Sequence, residues 1–109
     1  MTTEQFRQLA MSLPDTIENP HFDRAAFKVI KKRIFATMHE KSETVNLKLS
    51  PLDQSVFCSF GQGAVYPVPN KWGLQGWTTF DLKKVPEEFM KDALTTAHGE
   101  AIKPAGKNQ

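Results

Sequence analysis

A chain of 109 residues with 39% hydrophobic and 24% charged content fits one soluble globular domain, large enough to bury an unaided core. Its single cysteine, Cys58, excludes an intrachain disulfide and suits a reducing cytoplasm. A net charge of +2 names no partner, no apolar run spans a bilayer, and the start MTTEQFRQLA lacks the apolar stretch of a signal peptide.

Charge is unevenly spread. Residues 1–23 hold one base and four acids, a net of −3. Residues 24–84 hold ten bases and four acids, a net of +6, and residues 85–109 hold three bases and four acids, a net of −1. The middle of the chain is electropositive, as a solvated face or a nucleic-acid surface would be.

The first element is a helix. Phe6, Leu9, Ala10 and Leu13 form one apolar stripe, Thr2 and Gln5 fit a capping box, and Pro14 stops the element. The stretch Glu18-x-x-His21-x-Asp23 reads as a surface loop with incidental polar groups rather than a metal site. Phe27–Ile30 and Ile34–Met38 then read as a hairpin joined by Lys31-Lys32-Arg33. Val45, Leu47 and Leu49 alternate with Asn46 and Lys48, the pattern of a half-buried antiparallel strand.

Ser50-Pro51 opens a short helix in which Leu52, Val56 and Phe60 share a face, and Gly61 and Gly63 end it. Ala64–Val68 and Trp77–Leu82 read as strands separated by a Pro69–Gly76 loop, with Pro67 and Pro69 placing the first at an edge. Pro86 opens a last helix with Phe89, Met90, Ala93, Leu94 and Ala97 inward and Gly99 as its stop. One domain over residues 1–99 follows, with a mobile tail over residues 100–109. The expected class is α+β, an antiparallel sheet with helices packed on one face. The core should include Phe6, Leu9, Leu13, Phe27, Val29, Leu47, Leu49, Phe80, Leu82, Phe89 and Leu94.

No reaction is legible. The three histidines lack ligand spacing, Cys58 reads as a buried free thiol, and there is no phosphate loop or catalytic triad order. The expectation is a non-enzymatic protein with no cofactor and no metal. Two clusters remain. Arg24, Lys28, Lys31, Lys32 and Arg33 line the hairpin with no acid among them, and such groups release counterions on meeting phosphates. Charged hairpin tips also serve as solvated turns that block edge pairing. Lys71, Trp72, Gln75 and Trp77 form the second cluster, in which Trp72 either stacks a ligand or covers the sheet edge and Trp77 reads as core.

In order and spacing these pieces resemble the MmcQ/YjbR family of small bacterial proteins. The resemblance rests on Leu13-Pro14, Phe27-Lys28-Val29, Lys32 before Phe35-Ala36, and Leu47-Lys48-Leu49 before Pro51. Asn70-Lys71 and Trp77-Thr78-Thr79 complete it, and it covers about residues 2–98. Members usually carry Asn-Lys-x-x-Trp; here Trp72–Gly76 stands between Lys71 and Trp77. The resemblance implies a CyaY-like, double-wing fold and a DNA-binding role. The iron handling that CyaY and frataxin proteins suggest needs an acidic first helix, and this one offers only Glu4, with Asp15 just beyond. The expected function is nucleic-acid binding, with DNA as partner, through Lys28, Lys31, Lys32, Arg33, Lys71 and Trp72. The alternative is a protein- or small-ligand-binding module that uses the Pro69–Trp77 loop.

Overall fold

Thr2 caps the first helix as expected. Its hydroxyl accepts from the Gln5 backbone N–H at 3.0 Å, and the Gln5 side chain accepts from the Thr2 N–H at 2.9 Å. This satisfies two of the free donors at the start of α1 (Thr3–Met11). The computed structural model describes residues 1–104.

After α1 come β1 (Thr16–His21), β2 (Arg24–Val29), β3 (Ile34–His39) and β4 (Thr44–Lys48). Helix α2 (Pro51–Phe60), strand β5 (Val65–Pro67), the single turn α3 (Lys71–Leu74), strand β6 (Trp77–Asp81) and helix α4 (Glu87–Ile102) complete the chain. The strands form one antiparallel sheet in the order β1-β2-β3-β4-β6-β5. β5 is an edge strand, where Pro67 costs no ladder hydrogen bond on its free side.

Register divides the sheet into two faces, because directly paired residues project to the same side. One row, Glu18, Phe27, Ala36, Leu47, Thr78 and Pro67, crosses all six strands and faces the helices. A bulge between β2 and β3 leaves Phe35 as an extra residue, and its ring meets the His98 ring edge-on at 5.3 Å. The core lies on this side. Phe6 of α1 packs edge-on to Phe27 at 5.7 Å. Phe57 of α2 meets Phe89 at 5.4 Å and Phe80 at 6.3 Å. α4 lays Met90, Ala93, Leu94, Ala97 and Ala101 over β2, β3 and β4. Antiparallel pairing with α1, α2 and α4 on one face is the expected α+β architecture.

The structure corrects five local expectations. Residues 16–21 form β1 rather than a loop, so Glu18 and His21 project to opposite faces. In α2, Leu52, Val56 and Phe60 are exposed, and Phe57 turns inward to the aromatic cluster. The Pro69–Gly76 loop contains a helical turn, α3. α4 passes through Gly99 and ends at Ile102, because Ala101 still finds a buried position; residues 105–109 of the expected tail lie outside the described residues. Leu9, Leu13 and Phe89 pack against the core margin, half-buried, while the other expected core residues are buried.

Candidate nucleic-acid interface

No helix covers the second face of the sheet over its centre. Its middle row runs Asn19, Ala26, Thr37, Asn46, Thr79 and Tyr66 across all six strands. Beside it lie Lys28, Ile34, Lys48 and Trp77 toward one end, and His21, Arg24, His39, Thr44 and Asp81 toward the other. Asp81 is the one acid in these positions among the described residues, and its carboxylate sits 3.4 Å from the Lys83 ammonium.

The two ends of the sheet differ in charge. The β2–β3 turn carries Lys31, Lys32 and Arg33 at the same end as Lys28, Lys48 and the α3 residue Lys71. At the opposite end Asp23, Glu40, Glu43 and Asp81 are interspersed with Arg24, Lys41, Lys83 and Lys84, so that end is close to neutral.

A concavity of about 370 Å³ opens on the uncovered face. Trp72, Trp77, Ile34 and Val68 supply apolar walls, and His21, Arg24, Thr37 and Asn46 supply polar ones. Trp72 is 51% exposed. Neither tryptophan stacks on another aromatic ring among the described residues. A larger recess of about 1210 Å³ lies around the opposite end, walled by Arg7, Glu18, Asp23 and Glu40. Arg24, Lys41 and His39 line it too, and its carboxylates are tied to cations, Glu18 and Glu40 to Arg7 and Asp23 to His39, whereas the smaller concavity carries no carboxylate and is the better candidate for a polyanion.

Local chemistry fixes the Trp72 loop. Asn70 caps α3, its side-chain oxygen accepting from the Trp72 N–H at 2.8 Å. Gly73 lies where any Cβ would run into the Val68 carbonyl oxygen. Gly76 has φ +109°, and a Cβ there would meet the Leu49 carbonyl oxygen. The amide nitrogen of Gln54 in α2 donates to the Gly73 oxygen (2.9 Å), the Thr78 hydroxyl (3.1 Å) and the Trp77 oxygen (3.2 Å).

A protein-family model described as YjbR matches residues 11–100. The chain belongs to the YjbR family. A crystal structure of a Deinococcus radiodurans protein with a DUF419 domain, the same family, superposes with a TM-score of 0.74 at 24% identity, covering 88% of this chain and 75% of that one. The crystal structure of a Pseudomonas syringae protein gives a TM-score of 0.68 at 17% identity, covering 93% of this chain and 99% of that one. At these identities the two structures attest the YjbR fold. No curated protein matches the sequence.

The residues singled out in the sequence fall at the basic end of this YjbR sheet. Lys28 lies on the open face, Lys31 and Lys32 extend beyond it as exposed turn residues, and Lys71 precedes Trp72 on α3. Arg33 differs: its Nη2 donates to the Lys103 carbonyl oxygen at 2.9 Å, which turns it toward the end of α4. Trp77, expected in the core, is half-buried and lines the concavity. Asn46 and Lys48 join the face through the alternation of β4, although neither stood out as a site residue. Burial lowers the Lys48 ammonium pKa, Glu100 opposes that shift, and Arg33 adds to it. Glu18 accepts from Arg7 Nε at 3.0 Å on the helix side, so Glu18 and His21 share no ligand geometry.

Proposed function

We propose that this protein is a non-enzymatic, nucleic-acid-binding accessory protein that uses the uncovered sheet face, with DNA as the partner, in a reducing, cytoplasmic setting. The observation that carries this reading is the juxtaposition at one sheet end of lysines with two tryptophans free of aromatic partners. Lys28, Lys31, Lys32 and Lys71 supply charge for phosphates, and Trp72 and Trp77 supply flat apolar surface for bases. A single-layer sheet with one face packed and the other carrying aromatics is a common platform for unpaired bases.

The test is a tryptophan-fluorescence titration with single- and double-stranded oligonucleotides at two salt concentrations. Each phosphate contact contributes a log–log salt slope of roughly −0.7 on a single strand and about −0.9 on duplex DNA. Replacing Lys28, Lys31, Lys32 and Lys71 by Gln together flattens the slope on every sequence. No binding by the wild type at low salt, or an unchanged slope in the variant, overturns the reading.

The concavity also favours a second reading, a protein- or small-ligand-binding module built on the Pro69–Trp77 loop. At about 370 Å³, with apolar walls and a few polar groups, it lies at the small end of ligand sites. Fluorescence changes on Trp72 with peptides or small aromatic ligands, in the absence of any response to oligonucleotides, would select it.

A further inference from the structure

We infer that the concavity beside Trp72 is a subsite for one unpaired keto base, thymine, uracil or guanine, of a single strand. This rests on the nucleic-acid reading and adds to it a strand type and a base class.

The polar wall is asymmetric in hydrogen-bond sense. Asn46 Oδ1 accepts from the Thr79 hydroxyl at 2.8 Å, which leaves the Asn46 amide NH₂ as the group with hydrogens to offer. Arg24 Nη1 reaches the Thr37 hydroxyl at 3.4 Å, a long bond that leaves most of its five N–H donors unspent. Both residues line the concavity. Its polar wall is therefore donor-rich, and a ligand must bring acceptors.

Keto bases meet that demand. Thymine and uracil present two carbonyl oxygens flanking one N–H, and guanine presents O6 beside N7. Cytosine and adenine replace a carbonyl by an amino donor, and turning it toward the same donors leaves polar groups unpaired. The apolar walls suit the rest of the base. Trp72 and Trp77 offer ring faces, and Ile34 and Val68 offer aliphatic contact for a thymine methyl.

Charge complementarity sets the occupant as a polyanion rather than a free base. Lys28 borders the concavity on the same face, Lys71 adjoins Trp72, and Lys31 and Lys32 stand at the end the strand would leave by. A base inside a duplex keeps its carbonyl edges paired and its faces stacked, so the subsite selects single strands.

The experiment compares homopolymers of thymidylate, cytidylate and deoxyadenylate, of one length and at one salt concentration, with wild type, Asn46→Leu, Arg24→Met and Trp72→Ala. Thymidylate should bind roughly tenfold more tightly than deoxyadenylate, the scale of one good side-chain-to-base pairing. Asn46→Leu and Arg24→Met should each shrink that ratio, and Trp72→Ala should weaken every homopolymer by roughly 5- to 150-fold. Circular dichroism establishes that each variant is folded, and two independent polar variants guard against one that is not. Equal binding of the homopolymers, or an undiminished ratio in both polar variants, overturns the base subsite while the nucleic-acid reading stands. No binding of any homopolymer at low salt overturns both.

Discussion

The side-chain amide of Gln54 donates to the carbonyl oxygen of Gly73 at 2.9 Å, and so ties the middle of α2 to the turn that carries Trp72. The same nitrogen reaches the Trp77 oxygen and the Thr78 hydroxyl. Gln54 thus ties α2 to both the Trp72 turn and the start of β6. Gln54→Leu removes the donor, while the Gly73 and Trp77 oxygens keep the Gly76 and Val68 N–H groups as partners. The expected loss is about 0.5–1.5 kcal/mol of unfolding free energy, that of an ordinary hydrogen bond. Trp72 emission should also shift toward that of a solvated indole. Denaturant titration followed by fluorescence checks both, and an unchanged stability and spectrum would show that the loop holds itself.

A paired substitution tests the facing of β4 and α2. Leu47 is fully buried and central in the sheet, whereas Leu52 is 74% exposed although it falls on an apolar helical stripe. Leu47→Ala should cost about 2–5 kcal/mol, transfer plus cavity. Leu52→Ala should change stability by no more than about 0.5 kcal/mol, as surface substitutions do. Equal losses at the two sites would mean that α2 is rotated from the orientation described.

Phe22 sits in the β1–β2 turn with φ +59° and its side chain 96% exposed. A bulky side chain in the left-handed region costs about 1–2 kcal/mol that asparagine largely avoids. The ring's recorded aromatic contact is edge-on to His21 at 5.0 Å. Phe22→Asn should therefore raise unfolding free energy by about 1 kcal/mol. A lower melting temperature in calorimetry would show that the His21 contact outweighs the backbone strain.

Burial pushes the Cys58 thiol above its ordinary value of 9.0. The folded chain therefore holds this proton more tightly than the unfolded chain. The resulting stability is present below pH 9.0 and fades as pH rises past that value. Because the thiolate is the nucleophile, a thiol-reactive dye at mildly alkaline pH should label the native protein more slowly than the urea-unfolded chain. Cys58→Ala should remove this residue's share of the alkaline decline. Equal labelling rates in the two states would contradict the burial.

Where one physical signal dominated, the fold was legible. Val45, Leu47 and Leu49 alternate with polar residues, and β4 forms there with those residues inward. Thr2, Gln5, Ser50 and Pro51 act locally, and both caps form. β1 escaped notice because Asn19 and Pro20 disfavour strands; it exists because an edge position tolerates proline and β2 supplies the ladder. In α2 two apolar stripes compete, and only the tertiary position of Phe80 and Phe89 selects Phe57 over Leu52, Val56 and Phe60. Gly99 failed to stop α4 because its neighbourhood is open and the helix gains a buried Ala101. Lysines and Trp72 stood out by chemistry. Arg24 and Trp77 belong to the two clusters legible in the sequence, but their convergence with Asn46 follows from strand order, which places β6 beside β4, and no short motif carries that information.

Charge is uneven along the strands, because Lys28, Lys31, Lys32 and Lys71 gather at one end while Asp23, Glu40, Glu43 and Asp81 at the other are offset by Arg24, Lys41, Lys83 and Lys84. In the field of a polyanion such a body feels a torque before it feels a contact. It rotates while still diffusing, so that fewer collisions arrive wrong way round. A net charge of +2 therefore understates the local field that the proposed polyanionic partner would meet at the basic end. That guidance fades once ions shorten the reach of the field to about 8–10 Å near physiological salt.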